Sequence, residues 1–181
     1  MVDRSKLAQQ VFKRMTVPVL VILLLSTIVL AQETVSGRAT VRDGDDLVVN
    51  GLQIRLFGVD AFELNQKCQL DGKSWACGRV AKQKLEELVA KDEVRCVGAG
   101  KTTRDRRVMR CYIGDKELNA EMVALGLALD CPAYSKELYK KIEAQAKEQR
   151  KGAWAGEFLA PWQAQGKTYC CTSAHQRSFC P

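Results

Sequence analysis

The sequence predicts an α+β fold, a small β-barrel with helices packed on it, and three observations predict it. Apolar residues alternate with period 2 from Glu33 to Gly58, and they switch to a helical period between Gly78 and Lys91. Two short strands then return, followed by two further helical stretches. Three strands, a helix, two strands and two helices make a five-stranded OB-type β-barrel with about three packed α-helices the natural candidate.

Arg38-Ala39-Thr40-Val41 opens the meander, and Asp43-Gly44-Asp45-Asp46 is a turn signal before Leu47-Val48-Val49. Asn50-Gly51 is a strong hairpin signal, because both residues tolerate positive φ. The chain runs back with Leu52, Ile54 and Leu56 on one face and Gln53, Arg55 and Phe57 on the other. In the first helix Val80, Ala81, Leu85, Leu88 and Val89 form the apolar stripe, with lysines and glutamates opposite. Strands at residues 93–97 and 108–113 flank a polar, basic connection. Residues 118–129 read as a second helix capped by Asn119. Residues 136–150 read as a third, with Leu138, Ile142 and Ala146 facing inward and Gly152 ending it. After Trp162 the chain turns polar and cysteine-rich, so residues 32–165 read as the domain and residues 166–181 as a tail.

Residues 1–31 read as a signal peptide. Arg4, Lys6, Lys13 and Arg14 make a positive start, residues 17–30 are mostly apolar, and Val29-Leu30-Ala31 suits cleavage before Gln32. The other reading is an uncleaved membrane anchor through residues 17–31, although that run is shorter than the roughly 20 residues a spanning helix prefers. Either way the domain is expected outside the cytoplasm: secreted, periplasmic, or anchored and facing outward. The whole chain carries +7, and residues 1–31 hold four basic side chains and Asp3, so the remainder keeps +4. That excess suits a polyanionic partner and equally suits plain solubility.

Eight cysteines in an exported chain point to disulfides. Cys68 and Cys77 bracket a short loop and are expected to be bridged, and Cys96 and Cys111 lie on strands that can be neighbours. The pairing of Cys131, Cys170, Cys171 and Cys180 stays open. The tail spacing Cys171-x3-His175-x4-Cys180 matches no standard zinc finger. His175 is the sole histidine, which leaves histidine-base and multi-histidine metal chemistry almost nothing to work with.

Carboxylates and arginines carry the remaining chemistry. Asp45 lies in the first turn, and Asp60 and Glu63 follow the third strand in Gly58-Val59-Asp60-Ala61-Phe62-Glu63. Hard divalent cations take oxygen ligands. A third carboxylate nearby can take a proton from water as general base. Arg55 leads into this loop, and its planar fork suits a phosphate. The ordinary reading of the same residues is a tight turn and a strand arginine paired with surface acids.

Two stretches, Val41-Arg42-Asp43-Gly44-Asp45-Asp46-Leu47 and Ile54-Arg55-Leu56-Phe57-Gly58-Val59-Asp60-Ala61-Phe62-Glu63, resemble the leading motifs of the staphylococcal nuclease (thermonuclease) family. Those motifs are V-x-D-G-D-T-[LV] and R-L-x-G-[IV]-D-[AT]-P-E. The family's D-x-Y-G-R has its counterpart around residues 102–111. Glu143-Ala144-Gln145-Ala146-Lys147 leading to Gly152-Ala153-Trp154 is similar to the family's last helix and its tryptophan, so the resemblance spans residues 33–162. It implies calcium as cofactor, with Asp45 and Asp60 as carboxylate ligands and the Ala61 carbonyl as a third. It implies Glu63 as general base and Arg55 and Arg106 as phosphate-binding, catalytic arginines. It also implies DNA and RNA as substrates, released with 3′-phosphate ends.

Asp46 stands where the family has threonine, and Phe62 where it has proline. Thr103-Arg104-Asp105-Arg106-Arg107 lacks the tyrosine and glycine, so a slip of one position would give the role of Arg106 to Arg107. Tyr134 and Tyr139 are candidate base-stacking residues in substrate binding, with Tyr112 a further one. The expectation is an exported, monomeric, calcium-dependent nuclease with little sequence preference and no protein partner implied. The alternatives are a non-catalytic OB-fold nucleic-acid-binding module and an envelope protein that uses its barrel for protein contacts.

Overall fold

The computed structural model describes residues 32–100, 102, 106–171 and 180, so the expected signal or anchor lies outside the described residues. None of the described helices is long and apolar enough to cross a membrane. Strands β1 (Thr34–Gly37), β2 (Ala39–Asp43), β3 (Asp46–Val49) and β4 (Leu52–Leu56) form the expected meander. The chain continues through β5 (Val59–Ala61), β6 (Cys68–Leu70), β7 (Lys73–Trp75) and helix α1 (Cys77–Val89). Next come β8 (Val94–Gly98), β9 (Arg107–Ile113), β10 (Lys116–Glu117), α2 (Leu118–Ala124) and β11 (Ala128–Asp130). Helices α3 (Pro132–Ser135), α4 (Lys140–Glu148) and α5 (Pro161–Ala164) follow, with a 3-10 turn at Gly152–Ala155 before α5.

The main sheet runs β1-β8-β9-β4-β3-β2, with β10 added to β9. Its neighbours are antiparallel except for β4 and β9, which run parallel. The two outer strands, β1 and β2, are successive halves of one segment broken only at Arg38, so the sheet curls until one bent segment supplies both of its edges. This is the barrel the sequence predicts. Leu47, Val49, Ile54, Leu56, Leu85, Met109, Leu118 and Met122 fill one core between the sheet and its helices. Each such side chain contributes roughly 1.5–3 kcal/mol by leaving water. At the tight hairpin, Asn50 and Gly51 take φ values of 49° and 78°, and the Asn50 amide donates to Ser36 O at 2.7 Å, tying the hairpin to the bend.

Two helices differ from expectation. The second ends at Ala124, and the apolar run after Gly126 becomes β11, paired with β5. A short buried strand and a continuing helix look alike by periodicity, and here the partner strand decides. The third starts late, at Lys140 and not at 136, because Lys136 and Glu137 adopt φ values of 53° and 67°. Leu138, expected inside, is 47% exposed, whereas Ala146 is buried and Ile142 packs against the core.

Asn119 is not a cap. It is fully buried, accepting the Cys111 N–H at 3.0 Å and donating to Phe57 O at 3.0 Å and Met109 O at 3.3 Å. Its amide stitches α2 to the parallel pair β4 and β9.

Disulfides join Cys68 to Cys77, Cys96 to Cys111, Cys131 to Cys170 and Cys171 to Cys180. Cys96 and Cys111 face each other across β8 and β9. Cys171 and Cys180 are bonded to each other and so offer no thiolates to zinc. Residues 166–171 do not trail from the domain: Cys170 and Tyr169 pack with Leu129, Cys131 and Trp162 in a small second core.

Asn119→Ala leaves the Cys111 N–H and the Phe57 carbonyl buried without a side-chain partner. We expect a loss of about 2–3 kcal/mol in urea unfolding; a loss below about 0.5 kcal/mol would mean that water replaces the amide.

Candidate active site

The site is built at the turns that leave β2 and β4. A register shift between Val41 and Asp43 re-aims the first turn. Asp43 Oδ1 accepts the Gly44 N–H at 2.8 Å, and the Leu56 N–H bonds Asp45 O at 2.8 Å, fastening the turn to the end of β4. Asp46 faces Arg55 across β3 and β4, and Asp60 faces Leu129 across β5 and β11. Glu63 lies two residues beyond β5, in a loop braced from several sides. Its N–H donates to Gln66 Oε1 at 3.2 Å, the Gln66 N–H returns to Glu63 O at 2.7 Å, and Phe62 is buried edge-on against Phe158. A Cβ on Gly78 would lie 1.7 Å from the Glu63 carbonyl oxygen, so the start of α1 closes on this loop only as glycine.

Arg55 stands between the two aspartates. Its Nη2 is 2.8 Å from Asp45 Oδ2 and also pairs with Asp60 Oδ1. Asp45 Oδ2 accepts the Ala61 N–H at 3.1 Å as well. Asp45 is 5% exposed and Asp60 1%. Burial pushes both carboxyl pKa values up, Asp60 is raised further by the charge of Asp45, and Arg55 offsets only part of this. Glu63 is also raised, by burial first and then by the charge of Asp43. Arg106 Nη1 lies 3.2 Å from Asp46 Oδ2, while Arg107 Nε bonds Glu33 at 2.8 Å, away from the cluster.

These groups line one cavity of about 660 Å³. It brings together Asp45, Asp60, Glu63, Arg55 and Arg106, with Tyr134 at its edge, 56% exposed. Ala61 reaches the cluster through its backbone N–H. Tyr139 must be corrected: it is 1% exposed, outside the cavity lining, and its hydroxyl donates to Glu117 in the core, so it has no face for a base. Tyr112 is covered by Arg95, 4.7 Å from its ring centroid. Sequence reasoning missed Asp43, Gln165, Lys167 and Tyr169, which line the same cavity. Gln165 ends the expected domain and Lys167 and Tyr169 lie in the expected tail, and none carries a local pattern; only the unassigned cysteine at 170 hinted that the tail is tied down.

Among the described residues no three acidic, histidine or cysteine side chains group closely enough to hold a metal ion by themselves. The oxygens present nonetheless suit a hard cation. Asp45 and Asp60 converge on one cationic nitrogen. Asp46 Oδ1 is buried with no hydrogen-bond partner among the described residues. Calcium takes such carboxylates and completes its shell with backbone carbonyls and waters.

A barrel that holds carboxylates and arginines together in one cleft is a nuclease-like arrangement, since the arginines suit phosphate oxygens and the acids suit a cation or a proton. A family model described as "Staphylococcal nuclease homologue" matches residues 53–156. The chain is 34% identical over 131 residues to the succinoglycan biosynthesis protein ExoI of Rhizobium meliloti, covering 70% of this chain and 68% of that protein. It is 30% identical over 121 residues to an uncharacterized endonuclease of Haemophilus influenzae, covering 64% of this chain and 63% of that protein. The chain belongs to the staphylococcal nuclease family, as its motifs indicated.

The raised carboxyl pKa values set the sign of a pH effect. The folded protein binds these protons more tightly than the unfolded chain. Their contribution to stability is therefore complete below the ordinary carboxyl range and lost as pH rises through the folded values, about 6 for Asp45 and about 7 for Asp60. In chelator the melting temperature should fall from about pH 4 to about pH 8, and Asp60→Asn should flatten that fall. Parallel profiles for the two proteins would contradict the assignment. For Tyr139→Phe we expect a loss of about 1.5–3 kcal/mol in urea unfolding, with DNA affinity unchanged; weakened DNA binding without loss of stability would restore it to the binding surface.

Proposed function

We propose that this protein is an exported, calcium-dependent nuclease that hydrolyses phosphodiester bonds of DNA and RNA with little sequence preference. The observation that carries this reading is the single cavity in which Glu63, Asp45, Asp60, Arg55 and Arg106 meet. Asp45 and Asp60, with the carbonyl of Ala61, are the residues to hold the metal, which when bound supplies Lewis-acid polarisation of the phosphate and of the attacking water.

Glu63 takes the proton from that water. Its pKa is raised, first by burial, which makes it a better proton acceptor than an ordinary carboxylate. Arg55 and Arg106 offer planar forks to the phosphate oxygens and stabilise the charge that builds in the transition state. Both forks are now turned to carboxylates, Arg55 to Asp45 and Asp60, and Arg106 to Asp46. The cavity is lined by five carboxylates (Asp43, Asp45, Asp46, Asp60, Glu63) and three cations (Arg55, Arg106, Lys167), a formal net of −2. A phosphodiester entering that field is repelled. With a divalent cation bound that balance would be zero, and Arg55 would then be able to offer its fork to phosphate. Tyr134 offers a base a stacking face without hydrogen-bond readout, which fits low sequence preference. Four disulfides point to an oxidising compartment and support export.

The purified full chain should degrade single-stranded DNA and RNA with calcium and stop in chelator. Glu63→Gln should lower kcat by about 10²–10⁴-fold while DNA binding persists. Arg55→Lys keeps the charge, loses the fork, and should also be severe. Bound but intact DNA across a calcium titration would transfer the reading to the non-catalytic binding module.

A further inference from the structure

The segment after α5 lies beyond the residues the family model matches, yet it reaches the centre of the cavity. Tyr169 Oη donates to Asp60 Oδ2 at 2.9 Å. Gln165 Nε2 donates to Glu63 Oε1 and lies 3.1 Å from Tyr169 Oη. Lys167 Nζ in turn donates to Gln165 Oε1 at 2.8 Å, which fixes the direction of the Gln165 amide. We propose that Gln165 and Tyr169 are positioning residues of this site, a strap held by the Cys131–Cys170 disulfide that orients Glu63 and Asp60. The inference rests on the reading of Glu63 as general base and Asp60 as calcium ligand.

The covalent path is short. Tyr169 adjoins Cys170, which is bonded to Cys131, and Cys131 follows directly on β11. Leu129 of β11 is the register partner of Asp60, and the Cys131 N–H bonds Gly58 O at 2.9 Å. The disulfide therefore fastens the strap beside β11, the strand paired with the one that carries Asp60. The strap also leaves the site open: Gln165, Lys167 and Tyr169 line the cavity, whose 660 Å³ remains available. That volume is within the range of small-ligand sites, so the segment forms a wall and not a plug. Carboxylates that bind metals need such outer hydrogen bonds to hold their orientation. For a general base, one oxygen fixed by an amide leaves the other to face the water.

The test uses the full chain with calcium and single-stranded DNA as probes. Tyr169→Phe keeps the ring and removes only the hydroxyl. Calorimetric titration should show calcium affinity reduced about 10–100-fold with the melting temperature of the calcium-free protein little changed. Gln165→Ala should lower kcat about tenfold or more with KM and calcium affinity unchanged, a split that lost packing does not produce. Cys131→Ser combined with Cys170→Ser should show both losses together. Wild-type calcium affinity in Tyr169→Phe and wild-type kcat in Gln165→Ala would overturn the proposal while leaving the nuclease reading intact. Faster cleavage by any of these variants would make the strap a lid and overturn it as well. A wild-type chain that binds calcium more tightly than Tyr169→Phe, yet cleaves nothing, upholds the hold on Asp60 and removes the nuclease reading. Absence of calcium binding by the wild type overturns both.

Discussion

Asp45 and Asp60 are placed where water barely reaches, and both lean on the guanidinium of Arg55. Taking carboxylates out of water is expensive, and one shared cation repays it only if the geometry is held closely. The backbone around them is organised to hold it. The Leu56–Asp45 backbone bond closes the first turn onto β4, and pairing with β11 fixes β5. Gly44 lies so near Ala61 that a Cβ there would come within 2.7 Å of the Ala61 methyl group, so the turn packs directly on the strand that carries Asp60. Each carboxylate thus sits on a segment pinned by main-chain bonds, and strain at one is carried to the other through Arg55.

The departures from the family's motifs make local physical sense in this setting. Asp46, in place of threonine, adds a negative charge at 3.2 Å from Arg106, so substitution and arginine answer each other. Phe62, in place of proline, stiffens its loop by a different means: burial against Phe158 instead of a fixed backbone angle. The missing glycine and tyrosine before Arg106 fall on residues outside those described, and Arg106 still reaches the cavity from the residue that precedes β9.

Much of this was legible because it rests on local pattern. The period-2 run, the Asn50-Gly51 turn and the helical stripe of α1 depend on near neighbours, and they appear where the sequence puts them. Arg106 rather than Arg107 follows from the count along the family motif, and it is Arg106 that turns to Asp46 while Arg107 turns to Glu33. What escaped reading was decided by distant partners. Residues 128–130 become a strand because β5 offers them a ladder. Asn119, a cap by composition, is drawn inside by three backbone groups, two on β9 and one at Phe57 just after β4. Tyr139 has the composition of a stacking residue, but Glu117 and the core hold it. Gln165 and Tyr169 were invisible because their position depends on the Cys131–Cys170 pairing, one of the connectivities that spacing leaves open.

That disulfide differs in consequence from the other three. Cys96–Cys111 ties strands that are already neighbours, and Cys68–Cys77 and Cys171–Cys180 each close loops of sequence separation 9. Cys131–Cys170 spans 39 residues, α4 and α5 included, and in the chain-entropy picture removes about 4 kcal/mol of freedom from the unfolded chain. Besides this bond, the strap is held by the small second core around Trp162 and Leu129 and by the hydrogen bonds of Gln165 and Tyr169. In a reducing compartment the barrel would keep its sheet and its main core, while the segment that carries Tyr169 and Gln165 would lose its covalent anchor. Oxidation therefore bears on both the stability of the fold and the hold of this segment on the carboxylates. The strap of this chain has its covalent anchor only where disulfides form, which ties its hold on the cavity to the compartment that the cysteine content already indicates.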